Sequence, residues 1–88
     1  MTKSDKISRD EIKDEVIRMF KSISPDKNIT EETNLQLDLN MGVVFKRSLA
    51  LPLTGISKGH GGDAVRPEEA ESLSLVKDTI NIVYKKIP

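Results

Sequence analysis

The sequence has no cysteine, no tryptophan and a single histidine, His60, among 88 residues. Without cysteine the chain can form no disulfide, no zinc–thiolate site and no cysteine nucleophile. One histidine argues against a protein-only metal cage and against a catalytic triad that uses histidine. Aromatic residues make up 3% of the chain, so the core must be built mainly from aliphatic side chains. These absences disfavour a metalloenzyme or a thiol-dependent enzyme.

Charge of either sign is not in excess, because 14 basic residues balance 14 acidic residues. A net charge of zero argues against a nucleic-acid partner, which needs a basic excess on one face. No apolar run approaches the roughly 20 residues that span a bilayer, which argues against a membrane partner. The charged beginning MTKSDKISRDE lacks the apolar core of a signal peptide. We therefore expect a cytoplasmic protein with a single domain over residues 1–88.

A helix is predicted over residues 9–23, after a tail at 1–7 that we expect to be disordered. Ser8 and Glu11 fit the S-x-x-E capping box, in which each side chain accepts a hydrogen bond from the other residue's backbone amide. Apolar residues then follow at helical spacing: Ile12, Val16, Met19, Phe20 and Ile23. Ser24-Pro25-Asp26 is expected to end the helix.

The polar stretch 24–36 is predicted to be an ordered loop, with Ile29 and Leu35 buried in the core. A helix is predicted next over 40–51, where five residues share one helical face: Met41, Val44, Phe45, Ser48 and Leu49. Proline cannot continue the interior of a helix, so Pro52 is expected to end or kink it. The two adjacent β-branched valines leave a strand as the alternative.

The C-terminal third is predicted to contain a flexible glycine-rich loop over 54–64, a single helical turn and a final helix. Pro67 fits the first position of the turn, because its missing amide is not needed there. Ser74 is expected to cap a helix over 75–87, and an apolar stripe indicates its buried face: Val76, Ile80, Val83, Tyr84 and Ile87. The sequence thus predicts an all-α domain, a small bundle of three main helices plus one short turn.

Two segments resemble the acyl carrier protein family. VRPEEAESLSLVKDTINIVYKKI, residues 65–87, resembles the C-terminal third of that family, in which an apolar residue, a proline and an acidic turn lead into a capped last helix. ITEETNLQLDL, residues 29–39, resembles the loop before the family's attachment motif. The resemblance implies an acyl-carrier-like bundle, with its second helix shortened or remodelled.

The resemblance also implies a function. A carrier holds an acyl group as a thioester on a 4′-phosphopantetheine arm, catalyses nothing itself, and presents the group to partner enzymes. Its partners would be a phosphopantetheinyl transferase, which attaches the arm, and acyl-handling enzymes of fatty-acid or secondary-metabolite biosynthesis. In the family the arm is attached to the serine of an Asp-Ser-Leu motif, at the start of the second helix.

The chain departs from the family at this motif. Counted forward from Asp38-Leu39 without gaps, the serine position falls on Val43, which cannot form a phosphodiester. Counted backward from the turn at Pro67, it falls close to Ser48, which keeps the following leucine but has arginine in place of the aspartate. Ser48 is therefore the candidate attachment residue for phosphopantetheine. Inside the predicted middle helix it would be buried, where a phosphate is costly.

Two alternatives remain open, a non-carrier member of the same fold and a small enzyme or nucleotide binder built on the glycine-rich segment. Val43 at the gap-free position favours a non-carrier member of the fold, a protein-interaction module without the arm. Lys46 and Arg47 make its middle helix basic, whereas the docking helix of a family carrier is acidic, so its partner should differ. The segment TGISKGHGGD holds glycines, a lysine and a serine, but it fits no nucleotide-binding template. It is interpreted as a spacer, with Ser57 as a weaker attachment candidate and His60 exposed to solvent.

Overall fold

The protein forms four helices and one short helical turn in the computed structural model, which describes residues 7–88. That range contains no strand. The helices are α1 (Arg9–Ile23), α2 (Val43–Ser48), α3 (Ala50–Gly59) and α5 (Val76–Lys86), and the turn is α4 (Pro67–Glu71). The predicted all-α class is confirmed.

Helix α1 begins and ends as the sequence predicts. The Ser8 hydroxyl accepts the backbone amide of Glu11 at 3.2 Å, and the Glu11 carboxylate accepts the amide of Ser8 at 3.4 Å, which completes the capping box. The predicted end before Ser24 is also observed. Of the predicted tail, residues 1–6 lie outside the described range, whereas Ile7 packs against the core.

Helices α1, α3 and α5 pack around one aliphatic core. Residues from both terminal helices and from the first loop are fully buried in it: Val16, Phe20, Leu35, Val76, Ile80 and Val83. The loop reaches the core because it runs beside the start of α5. The amide of Leu35 donates to the carbonyl of Ser74 at 2.9 Å, and the amide of Val76 donates to the carbonyl of Thr33 at 3.0 Å. The predicted ordered loop is confirmed.

The start of α5 differs from the prediction, because its N-cap residue is Leu75 rather than Ser74. The carboxylate of Asp78 accepts the backbone amides of Ser74 at 3.2 Å and of Leu75 at 3.0 Å. The carboxylate of Asp78, in the first turn of α5, therefore satisfies the free amides at this end of the helix, and the side chain of Ser74 does not. Helix α5 is one residue shorter at each end than predicted.

The middle of the chain departs furthest from the prediction. In place of one helix over 40–51 and a loop over 54–64, the structure has α2 and α3, separated only by Leu49. Pro52 does not end a helix, because it is the third residue of α3, where a backbone amide has no intrahelical partner. The strand alternative is wrong as well, because the two valines form the first turn of α2.

The glycines close α3 instead of forming a flexible loop. Gly61 has a φ of 81°, and its amide donates to the carbonyl of Lys58 at 3.1 Å. The amide of Gly62 donates to the carbonyl of Ser57 at 2.8 Å. These two bonds form the Schellman motif of a helix C-terminus. The predicted loop is therefore wrong for residues 54–59, which are helical.

Gly62 lies where no larger residue fits without movement. A Cβ at this position would be 2.3 Å from the hydroxyl oxygen of Ser57 and 2.9 Å from the carbonyl oxygen of Lys86. We expect Gly62→Ala to lower the free energy of unfolding by about 1–3 kcal/mol, the usual cost of overpacking. Urea denaturation measures this difference.

Gly55→Ala is the matched control, because a Cβ there meets nothing within 4 Å. Alanine inside a helix is about 1 kcal/mol more favourable than glycine, so this variant should be slightly stabilised. If Gly62→Ala is as stable as Gly55→Ala, the close packing of α3 against the end of α5 is wrong.

Pro67 is the first residue of α4, as predicted, and one carboxylate joins this turn to α5. Glu69 accepts the backbone amide of Arg66 at 2.9 Å and the ammonium group of Lys86 at 2.9 Å. The hydrogen bond from the Arg66 amide, and then the one from Lys86, lowers the pKa of Glu69 below its ordinary value of 4.5.

The stabilising effect of Glu69 should therefore depend on pH. Because its pKa is lowered in the folded state, its contribution is complete above pH 4.5 and is lost as the pH falls through the lowered pKa. At neutral pH, Glu69→Gln should unfold at a lower urea concentration than the unchanged protein. This gap should close well below pH 4.5. Urea titrations of both proteins at the two pH values check this, and a gap that widens in acid contradicts it.

Candidate functional site

Helix α2 buries none of its six residues, although three of them are apolar. Val44 is 83% exposed, and Leu51, in the first turn of α3, is 81% exposed. Val43 and Phe45 are exposed as well. Single exposed apolar residues are normal on a protein surface, but several that lie together indicate an interaction surface.

The short break between α2 and α3 places these side chains in one row. Leu49 has helical backbone angles, φ −66° and ψ −19°, so the chain passes from α2 to α3 with little interruption. Spacings of four and three residues therefore bring Val44, Ser48 and Leu51 to the same side of the chain. We call the surface formed by residues 43–45, Ser48 and Leu51 the α2–α3 ridge.

Two open grooves meet at Ser48. The first has a volume of about 570 Å³ and is lined mainly by the start of α2. The second has a volume of about 390 Å³ and lies between the first turns of α3 and the segment before α4, with Leu51, Val65 and Pro67 in its lining. Ser48 belongs to both linings, so one small side chain separates the two grooves.

Ser48, the predicted attachment residue, is exposed and is the last residue of α2. Its hydroxyl donates a hydrogen bond to the carbonyl oxygen of Phe45 at 2.5 Å. The C-terminal end of a helix carries partial negative charge, which disfavours a phosphate at this end of α2. Val43, the residue at the gap-free position, is instead the first residue of α2. The expectation that Ser48 lies buried inside a helix is wrong, because the helix ends at this residue.

The ridge lies in the basic part of the chain. Residues 39–62 include three cations, Lys46, Arg47 and Lys58, but no Asp or Glu. Nη1 of Arg47 lies 2.5 Å from a carboxylate oxygen of Glu71 on α4. Lys46, in contrast, has no ion-pair partner within residues 7–88. These cations give residues 39–62 a positive charge, although the whole chain has zero net charge.

The other residues considered from the sequence do not form a site together. Ser57 is buried, and its hydroxyl donates to the carbonyl oxygen of Asp63 at 2.7 Å. His60 was expected to be exposed, but the end of α3 brings it to α1, where its Nε2 lies 2.7 Å from a carboxylate oxygen of Glu15. Over residues 7–88 there is no cluster of three metal-binding side chains. No helix in the described part of the chain has the length and hydropathy to cross a bilayer.

In comparisons with known proteins, no protein-family model, no curated protein and no solved structure matches the chain. The acyl carrier resemblance therefore depends on the two sequence segments that carry it. Residues 43–51 present the apolar ridge and Ser48 to solvent.

Sequence reasoning missed the ridge because it placed Val44 and Phe45 on a buried helix face. The signal was present in the composition of the segment. Residues 41–53 contain more large apolar side chains than one helical face can bury, and the longer stretch 39–62 has no acidic residue. An apolar excess with charge of one sign is the pattern that could have indicated an exposed binding surface.

Proposed function

We propose that this protein is a protein-interaction module that binds its partner through the α2–α3 ridge. The observation that carries the proposal is a helix, α2, that exposes three large apolar side chains and buries none. Each such side chain contributes about 1.5–3 kcal/mol when it is fully removed from water. The four exposed apolar side chains of the ridge therefore offer surface that a partner can bury.

The surrounding contacts hold the ridge in place without covering it. Arg47 contacts Glu71, which joins α2 to α4. On the other side, the hydroxyl of Thr54 accepts the amide of Val65 at 2.8 Å and donates to the carbonyl of the same residue at 3.1 Å. A surface that is already ordered loses less conformational entropy on binding, which favours affinity.

Val43 supports the non-carrier interpretation of the acyl carrier resemblance. It is the first residue of α2, and the family's modified serine begins the corresponding helix. A valine there can contribute apolar surface but cannot carry the arm. The proposed module would keep the bundle and use its second helix for protein recognition alone.

Site-specific photocrosslinking tests the proposal in the cells that make the protein. A benzoylphenylalanine at position 44, in place of Val44, should form a discrete adduct with a second protein. The same group in place of Leu37 is the control, because Leu37 is 78% exposed but lines neither groove. Equal adducts from the two positions, or none from position 44, would remove the proposal.

A second candidate function is the carrier itself, and the exposure of Ser48 favours it. The transferase would attach 4′-phosphopantetheine to the Ser48 hydroxyl, and acyl-handling enzymes would use the loaded arm. Lys46 and Arg47 supply positive charge near this position, and α3 begins two residues after it. Such cations favour an anionic phosphate, in contrast to the C-terminal end of α2.

Intact-mass analysis after co-expression with a broad-specificity phosphopantetheinyl transferase tests the carrier function. The carrier predicts a mass gain of one phosphopantetheine arm, which disappears in Ser48→Ala. If a control carrier is modified under the same conditions and this chain is not, the carrier function is excluded. The photocrosslinking result then decides the interaction function by itself.

A further inference from the structure

We propose that α2 opens locally while the rest of the bundle stays folded, and that the ion pair between Arg47 and Glu71 is the latch that limits this opening. The segment that opens is residues 42–48, which we call the strap. The proposal goes beyond the proposed function and does not depend on a partner, because the opening is a property of the chain alone. It follows from the burial at the two ends of the strap, from the lack of burial within it, and from its contacts.

The strap runs between two buried residues, Met41 and Leu49, which are each 1% exposed. The backbone fixes both of them to the bundle. The amide of Met41 donates to the carbonyl of Leu35 at 2.9 Å. The carbonyl of Leu49 accepts the amide of Leu53 at 3.0 Å. No residue of the strap itself is buried, so the strap can leave its helical conformation without removing a side chain from the core.

Helix α2 lacks the features that normally stabilise a helix. It has six residues, which is too short for stability in water by itself, and it has no buried face to supply tertiary packing. Its N-cap residue is Gly42, which has no side chain to accept a free amide of the first turn. Local opening costs least free energy where buried apolar contacts are few and backbone hydrogen bonds are exposed to solvent. We therefore expect α2 to open before α1, α3 and α5.

One pair of side chains connects the strap to the turn α4, which packs against α2. Nη1 of Arg47 lies 2.5 Å from a carboxylate oxygen of Glu71. Over residues 7–88, no other ion pair or side-chain hydrogen bond joins the strap to another element. The two side chains are 45% and 42% exposed, so the pair is of modest strength and is screened by salt.

Opening of the strap changes what this surface presents to solvent. The row of Val44, Ser48 and Leu51 exists only while α2 is helical, so the ridge is lost in the open state. The hydroxyl of Ser48, which donates to the carbonyl of Phe45 in the closed helix, is released at the same time. The latch therefore sets the balance between a closed state that presents the ridge and an open state that presents a free Ser48 hydroxyl.

Amide hydrogen exchange of the full chain, followed by NMR, tests the opening. The amide of Lys46 donates to the carbonyl of Gly42 at 2.9 Å, so exchange here requires the helix to open. After correction for intrinsic rates, the amides of residues 46–49 should exchange at least about 100-fold faster than those of residues 80–83 in α5. Equally slow exchange in the two segments would show that α2 opens only when the whole chain unfolds, which overturns the proposal.

Glu71→Gln tests the latch. It should speed the exchange of residues 46–49 by about two- to fivefold, the range expected for an exposed ion pair, and leave residues 80–83 unchanged. Glu32→Gln is the matched control, because it removes the same charge from an exposed pair with Lys77 that does not involve the strap. In a chain that already carries Arg47→Gln, Glu71→Gln should have little further effect, because the pair is then absent.

Gly42→Asp should act in the opposite direction. A Cβ at this position meets nothing within 4 Å, so the substitution causes no clash. The aspartate would accept a free amide of the first turn and place negative charge at the positive end of α2. The exchange of residues 46–49 should therefore slow by about two- to fivefold.

The variants decide the two parts of the proposal separately. If Glu71→Gln changes the exchange of residues 46–49 no more than Glu32→Gln does, the pair of Arg47 and Glu71 is not the latch. If Gly42→Asp leaves this exchange unchanged, its amides do not exchange through the unfolding of α2, and the strap is wrong. The photocrosslink at position 44 decides docking independently, because it reports on a partner and the exchange rates report on the free chain.

Discussion

Replacement of Val44 and Leu51 together by aspartate should abolish partner binding through the α2–α3 ridge and leave the fold intact. The two side chains are 83% and 81% exposed, so the folded chain loses almost no packing. In a complex they would be two of the apolar contacts that line the grooves, each worth about 1.5–3 kcal/mol. The double variant should therefore bind at least about 100-fold more weakly. The yield of the adduct formed by benzoylphenylalanine in place of Val43 measures binding, and urea denaturation measures the stability.

Leu37→Asp is the matched control for this variant. It introduces the same charge at an apolar side chain that is 78% exposed but lies outside both grooves. Its binding to the partner should equal that of the unchanged chain apart from a weak, salt-dependent effect of the added charge. A similar loss in the control and in the double variant would show that charge alone, and not the ridge, determines binding.

Phe20→Ala should be the most destabilising single substitution in the core. Phe20 is fully buried in the interface of α1 with the rest of the bundle, and it has the largest side chain among the fully buried residues. Truncation of a buried phenylalanine costs about 3–5 kcal/mol through lost burial and the cavity left behind. Stability near 0.1 kcal/mol per residue is typical, so this is about a third or more of the total for a chain of this size.

Ile23→Ala on the same helix gives the comparison. Ile23 is exposed at the last residue of α1, so its truncation should change stability by no more than about 0.5 kcal/mol. Urea denaturation of the two variants checks the difference. Similar stabilities would mean that α1 does not dock through the face that carries Phe20, and the described core would be wrong.

The two terminal helices could be predicted because local and tertiary requirements agree in them. In α1 the capping pair of Ser8 and Glu11 sets the start, and the apolar spacing gives the buried face. In α5, Val76, Ile80 and Val83 of the predicted apolar stripe are likewise buried. Where one helix has one apolar face and a clear stop signal, few other structures satisfy the same pattern.

The middle of the chain could not be predicted because its strongest local signals, proline and glycine, are each compatible with two different structures. Pro52 breaks a helix in its interior but is tolerated in the first turn, and the structure uses the second option. Gly61 and Gly62 indicate a loop by composition, yet they form the C-terminal cap of α3. The contacts of α3 with α1 and α5 favour the helical structure over the loop, and these tertiary contacts cannot be read from the sequence.

The candidate site was predicted in part. Ser48 was selected from the sequence, and the structure places it at the centre of the exposed ridge. The ridge itself was not predicted, since apolar residues in a regular pattern normally indicate burial. Val44 and Phe45 belong to the face predicted to be buried but are exposed, and this segment contributes Leu49, Ala50 and Leu53 to the core instead.

A titration of isotope-labelled protein with the partner captured at position 44, followed by amide chemical shifts, tests the docking ridge most directly. The account predicts that the perturbed amides concentrate in residues 43–51 and in residues 65–67, which line the second groove. It also predicts that α1 and α5 change little. Perturbations centred on α1 or α5, or spread evenly over the chain, would contradict the assignment of this ridge as the binding surface.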